Sequence, residues 1–124
     1  MKEHDEGAAV RAIDELTQKV KPENASVVDA QFARKIAALE KDGKAPRSML
    51  EQLRTLWAML KAPDDVVPFR SKTLIMAAVT YFVSPLDMVP DLIGFAGHID
   101  DAIVVRIVYG RLSDEIAAYH AWKA

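Results

Sequence analysis

Cysteine is absent from this chain of 124 residues. Disulfide frameworks, thiolate zinc sites, iron–sulfur clusters and cysteine nucleophiles are therefore excluded. With only 5 glycines and 6 prolines, the chain is poor in turn residues, which favours helices over a turn-dense all-β fold. There is no basic excess either, since 16 Lys and Arg stand against 18 Asp and Glu. A general nucleic-acid binder needs a basic face, so we expect no nucleic acid among the partners.

The short motifs of common enzyme classes are also missing. The sequence has no Gly-rich phosphate loop, no Gly-x-Ser-x-Gly elbow and no His-Glu-x-x-His pair. We therefore predict no catalytic residue, no cofactor-binding residue and no cofactor, and we do not expect an enzyme. Residues Met1 to Glu6 are mostly charged and no apolar core follows them, so a secretory signal is not expected. The expected localisation is cytoplasmic and not secreted, with membrane association left open.

Apolar residues make up 51% of the chain, which is typical of a folded globular domain. They recur with the 3.6-residue period of amphipathic helices. The spacing predicts helices over residues 6–20, 23 or 26 to 41, 46–61, 68–83 and 99–122, with Gly43 just past the end of the second. The predicted fold is all-α: a single domain over residues 1–124, built as a small bundle of about five helices. Residues 1–65 hold three amphipathic helices, and residues 66–124 hold two strongly apolar ones.

A Pro/Asp-rich corner joins the last two predicted helices. Between Lys72 and Arg106, the only charged residues are Asp87, Asp91, Asp100 and Asp101. The longest uncharged run of this half, Thr73 to Leu86, is shorter than the roughly 20 residues that a membrane-spanning helix needs. The composition therefore favours core helices over a membrane hairpin.

The residues around this corner carry a specific spacing. It reads Tyr-x-x-Ser-Pro-x-Asp-x-x-Pro-Asp, followed by a short glycine-containing loop, Asp-Asp and an apolar helix. The positions that match are Tyr81, Ser84, Pro85, Asp87, Pro90, Asp91, Gly97, Asp100 and Asp101. This pattern resembles the signature of the YkvA-like family of bacterial proteins, a domain of unknown function numbered 1232. The resemblance covers about residues 68–112 and implies a helical domain that is often labelled membrane-associated. It implies no established reaction, substrate or cofactor, and Arg106 departs from the family's aliphatic helix.

Two interpretations of the four aspartates stay open, and neither assigns a metal site firmly. Carboxylates at helix starts commonly cap backbone N–H groups and meet the positive end of the helix dipole. The same four groups are weak candidates for a Ca²⁺ or Mg²⁺ site, since hard cations prefer carboxylate oxygens. A transition-metal site using His98 has less support, because one histidine is little evidence. Capping is the favoured interpretation.

Two further side chains carry predictions. Arg106 requires a carboxylate partner if it is buried, and Asp87 or Asp91 is the expected one. Alternatively, the helix exposes this position and the guanidinium reaches water. Trp122, close to the end of the last predicted helix, is expected to pin that helix onto the bundle.

The function that follows is a non-enzymatic interaction module. Its expected partner is another protein, a second copy of the chain or a membrane surface, because the last two helices are more apolar than a small monomer should expose. One alternative is a divalent-cation-dependent switch or activity at the aspartates. The other is an integral membrane hairpin formed by the last two helices.

We expect Asp87→Ala or Asp101→Ala to lower the free energy of unfolding by about 1 kcal/mol, because each change removes a helix cap. Urea or thermal unfolding of the two variants measures this loss. Wild-type stability in both variants would show that these carboxylates do not cap helices. A melting temperature that rises with millimolar Ca²⁺, Mg²⁺ or Mn²⁺ would instead favour the cation site, since a ligand of the native state stabilises it.

Overall fold

The computed structural model describes residues 2–43, 45–83 and 101–124, and there the chain is helical without a β-strand. The all-α class predicted from the periodicity is thereby confirmed. The described residues form a 3-10 helix, Pro22–Asn24, and six α-helices: α1 Lys2–Lys19, α2 Ala25–Asp42, α3 Arg47–Met59, α4 Phe69–Val83, α5 Asp101–Arg111 and α6 Ser113–Lys123.

Local sequence signals explain the junction between α2 and α3. Gly43 follows α2 with a φ of 73°, a left-handed conformation that glycine adopts without a Cβ clash, and its N–H donates to the Leu39 carbonyl at 3.0 Å. Pro46 precedes α3, and its carbonyl accepts hydrogen bonds from the backbone of Met49 and Leu50. Gly43 and Pro46 lie at the helix boundaries where the sequence predicted them, although α3 begins one residue later than predicted.

The prediction of one long last helix over residues 99–122 is wrong. The helix is interrupted at Leu112, whose φ of -107° and ψ of 22° leave the α-helical region. Leu112 N–H bonds to the Tyr109 carbonyl three residues back, and α6 starts at the next residue. Buried side chains at Val108, Leu112 and Ile116 keep a spacing of four across the break. The apolar periodicity of the sequence therefore gives no sign of this break.

Helix α4 lies at the centre of the fold. It contacts α1, α2, α3 and α5, and all its residues from Ile75 to Phe82 are buried. A helix without a polar face requires apolar surroundings on every side, and here the neighbouring helices supply them. The core therefore forms around α4, with α1 to α3 covering it through their apolar stripes.

Three aromatic rings join α2, α3 and α4. Phe32 stacks on Trp57 with 4.6 Å between ring centroids, and it meets Phe82 edge-on at 5.9 Å. Lys35 completes this cluster: its Nζ lies 4.7 Å from the Phe82 ring centroid and donates to the Phe82 carbonyl. That carbonyl is in the last turn of α4, and the last carbonyls of a helix in general need a hydrogen-bond donor from outside the helix. Lys35 therefore stabilises the C-terminal end of the central helix from a neighbouring helix.

A buried lysine holds the other end of α4. The Lys72 side chain is 9% exposed, and its Nζ donates to the Ala62 carbonyl and to Asp64 Oδ1, the latter at 2.7 Å. Since an ammonium group is costly to bury, these acceptors compensate for its lost hydration. The contacts tie the first turn of α4 to the segment that follows α3.

Replacing Lys72 with Met should lower the free energy of unfolding by about 1–3 kcal/mol. The methionine keeps the apolar stem but leaves the buried Ala62 carbonyl without its donor. Urea unfolding of Lys72→Met measures this loss. Lys61→Met is the matched control, because Lys61 is exposed and substitutions at such surface positions usually change stability by about 0.5 kcal/mol or less. Equal losses in the two variants would contradict this account.

Thr80 presents an unpaired polar atom in the middle of α4. Its Oγ1 is buried and has no hydrogen-bond partner among the described residues. Valine has the same shape without the hydroxyl, so Thr80→Val should raise the stability by about 1 kcal/mol by removing an unsatisfied group. Thermal unfolding tests this, with Thr55→Val on α3 as the control. A lower stability for Thr80→Val would show that the hydroxyl is satisfied in the native protein.

Candidate functional site

The structure describes the two ends of the sequence motif. Tyr81 is buried in the last turn of α4, and Asp101 is the first residue of α5. The motif residues that lie outside the described residues are Ser84, Pro85, Asp87, Pro90, Asp91, Gly97 and Asp100. The capping and cation interpretations of the aspartates, the site at His98 and the pairing of Arg106 with Asp87 or Asp91 therefore stay predictions.

Arg106 lies at the surface. It is exposed on α5 and lines a groove of about 200 Å³ between α3 and α5, together with Pro46, Met49 and Ile103. Arg106 is therefore not buried, so the condition under which it would require a carboxylate partner does not apply. Its exposure is the alternative that the sequence left open for this position.

No group of three or more His, Cys, Asp or Glu side chains among residues 2–43, 45–83 and 101–124 is arranged to hold a metal ion. Within that part of the chain, charged and polar side chains line a cleft between α1, α4, α5 and α6.

This feature, the charged cleft, has a volume of about 340 Å³. Its polar lining consists of Asp14, Thr17, Arg70, Ser71, Arg111 and Glu115, and its apolar lining of Leu74 and Leu112. The Ser71 hydroxyl is buried and donates to Glu115 Oε2 at 3.2 Å, which joins the first turns of α4 and α6. Arg111 Nη1 lies 3.8 Å from Asp14 Oδ1, and both side chains are exposed. The cleft thus presents two guanidinium groups and two carboxylates at one end of the fold.

Two large apolar side chains, one on α4 and one on α6, are exposed. Phe69 is 56% exposed at the start of α4, and Trp122 is 52% exposed in the last turn of α6. Each is followed directly by a cation, Arg70 or Lys123. We call Phe69, Arg70, Trp122 and Lys123 the aromatic–basic patch.

Trp122 does not pin the end of the chain, so that prediction is wrong. Tyr119 takes the packing position instead and is buried, with its ring centroid 6.0 Å from that of Trp122. Lys123 Nζ lies 5.8 Å from the Tyr119 ring centroid. Trp122 is three positions after Tyr119, which places the two rings side by side on one face of α6, and Trp122 there remains 52% exposed in the last turn.

The hydrogen bond between Ser71 and Glu115 joins the two helices that carry the exposed rings. Phe69 precedes Ser71 by two residues. Trp122 follows Glu115 by seven residues, which is two helical turns or about 10 Å along α6. The two exposed rings are thus carried by the two helices that this hydrogen bond joins.

In residues 2–43, 45–83 and 101–124, no helix has both the length and the apolar character that crossing a bilayer requires.

Comparison with known proteins places this helical domain in a family. The family described as "Protein of unknown function (DUF1232)" matches residues 71–107, which run from the first turn of α4 into α5. A protein of Bacillus subtilis (strain 168), named "Uncharacterized membrane protein YkvA", is 32% identical over 84 residues, covering 64% of this chain and 79% of the relative. No solved structure matches the chain.

The chain therefore belongs to the DUF1232, or YkvA-like, family, and the resemblance inferred from the motif around Tyr81 is confirmed. The matched segment begins at Ser71, so it includes part of the charged cleft as well as the motif.

Sequence reasoning missed both the charged cleft and the aromatic–basic patch. The cleft residues come from four helices that are distant in sequence, and no local spacing brings Asp14, Ser71 and Arg111 together. The patch did leave a weak signal, since Phe69-Arg70 and Trp122-Lys123 each place an aromatic residue beside a cation at a helix terminus.

Proposed function

We propose that this chain is a non-enzymatic helical module that docks peripherally on a membrane surface through the aromatic–basic patch. The observation that carries the proposal is the pair of exposed rings, Phe69 and Trp122, each next to a basic residue. They are the large hydrophobic side chains that the described part of the chain leaves exposed.

Aromatic rings and cations suit the boundary between lipid and water. Tryptophan is enriched at this boundary because its ring is apolar and its N–H is polar, and phenylalanine is common on the apolar face of interfacial helices. Arg70 and Lys123 add attraction to anionic lipids, worth about 1 kcal/mol per basic residue near the surface. Two rings with two cations supply the combination of apolar and electrostatic contact that peripheral binding uses.

Further support comes from the family. The Bacillus subtilis relative is named a membrane protein, and a docking surface at the end of a helical bundle is one way for such a domain to meet a bilayer. The sequence provides no recognisable catalytic set, so the proposal includes no reaction.

The aromatic rings should control vesicle binding. We expect Phe69→Ser/Trp122→Ser to bind vesicles of phosphatidylethanolamine and phosphatidylglycerol about tenfold or more weakly than the wild type, because the apolar contact is lost. Flotation of the full chain with these vesicles measures the difference. Unfolding of the variant should remain close to wild type, since both rings are largely exposed.

Two controls sharpen this experiment. Phe69→Leu/Trp122→Phe keeps apolar side chains and should retain binding. Removing the patch cations by Arg70→Gln/Lys123→Gln should weaken binding and its salt dependence, whereas Arg34→Gln/Lys41→Gln on α2 should not. Unchanged binding of the serine variant would reject the patch as the docking surface. Retention of the wild type in membranes after an alkaline carbonate wash would favour the membrane hairpin, and a dimer lost only in the serine variant would favour self-association.

A further inference from the structure

The charged cleft holds equal numbers of positive and negative groups that do not neutralise each other closely. Its ion pair within the described residues, Arg111 with Asp14, spans 3.8 Å between exposed side chains. Glu115 accepts its hydrogen bond from the neutral hydroxyl of Ser71, so its charge is uncompensated there. Arg70 lines the same space without an ion pair to another described residue.

This arrangement selects among ligand classes by charge. A simple anion attracted by Arg70 and Arg111 also meets the repulsion of Asp14 and Glu115, and a simple cation meets the reverse. A ligand that carries both signs satisfies all four groups. Guanidinium groups bind phosphate oxygens through paired hydrogen bonds, and carboxylates accept the N–H donors of a primary ammonium group.

The position of the cleft suggests which zwitterion it takes. Arg70 belongs both to the cleft lining and to the aromatic–basic patch, directly after the exposed Phe69. A group held in the cleft would therefore lie at the surface that we expect to meet lipid. The leucines Leu74 and Leu112 provide apolar lining for a short carbon linker between the two charges.

We propose that the charged cleft binds a phosphoethanolamine group, with the phosphate at Arg70 and Arg111 and the ammonium at Asp14 and Glu115. The same chemistry is found in a phosphatidylethanolamine headgroup and in soluble phosphoethanolamine diesters. The choice of the lipid as its source rests on the proposed function, but the binding chemistry does not.

Titration of the full chain with soluble probes tests the binding chemistry. Glycerophosphoethanolamine should shift backbone amide resonances of residues lining the cleft and bind measurably by calorimetry. Glycerol 3-phosphate, ethanolamine and glycerophosphocholine should each bind about tenfold or more weakly, because each loses one set of charge-assisted hydrogen bonds. Glycerophosphocholine is the most closely matched probe, since its methylated ammonium has the charge but no N–H donor.

Variants locate the site. Arg111→Gln and Asp14→Asn should each weaken glycerophosphoethanolamine binding by about tenfold. The matched changes Arg34→Gln and Asp29→Asn, at exposed positions of α2, should leave it unchanged. Because Arg111 and Asp14 are exposed, the unfolding curves of their variants should stay near wild type and confirm that any loss reflects binding. Equal affinity for all four probes, no binding at all, or binding unaffected by both cleft variants would overturn the proposal.

Vesicles then separate the two proposals. Phosphatidylcholine vesicles with and without phosphatidylethanolamine are compared for the wild type and Arg111→Gln, and a preference for phosphatidylethanolamine that the variant loses supports the lipid source. Binding of glycerophosphoethanolamine without any vesicle docking would uphold the cleft with a soluble ligand and reject the membrane function. A third outcome would reject only the phosphoethanolamine site. In it, the chain does not bind glycerophosphoethanolamine, and its vesicle docking depends on Phe69 and Trp122 but not on the lipid headgroup.

Discussion

The burial of α4 on every side is the constraint on which the rest of this fold depends. A central helix with no polar face has to be enclosed, and α1, α2, α3 and α5 together do so. The remaining cost lies at the helix ends, where backbone groups have no helical partner. Lys35 bonds the Phe82 carbonyl in the last turn, and Lys72 ties the first turn to Ala62 and Asp64. Two lysines thus connect the least polar helix to its neighbours.

This enclosure also determines where function can lie. The core residues of α4 are inaccessible, so recognition has to use its first turn and the surfaces around it. There, Phe69 is exposed, Arg70 lines the charged cleft, and Ser71 bonds across to Glu115 of α6. One helical turn therefore supplies a side chain to the core, to the cleft and to the patch.

The apolar period predicted much of this architecture because burial on one face is a local property of sequence. Apolar spacing predicted the helices through residue 83 and the central place of apolar helices. The backbone preference of glycine predicted the left-handed conformation of Gly43. The break at Leu112 did not follow, because the buried positions Val108, Leu112 and Ile116 keep their spacing across it. The charged cleft did not follow either, since it depends on how distant helices meet. The motif identified the family from the order of its residues, without requiring their geometry.

The break at Leu112 makes the stability of α6 dependent on its packing against the rest of the protein. An isolated segment of 11 residues is too short to hold a helix by itself in water, so α6 keeps its shape only while Ile116 and Tyr119 remain seated against the rest of the protein. The helical conformation of α6 therefore depends on tertiary packing. A change that loosens these two side chains also unfolds the helix that carries Trp122. The C-terminal segment is thus a part of the fold that can melt locally while the enclosed centre stays intact.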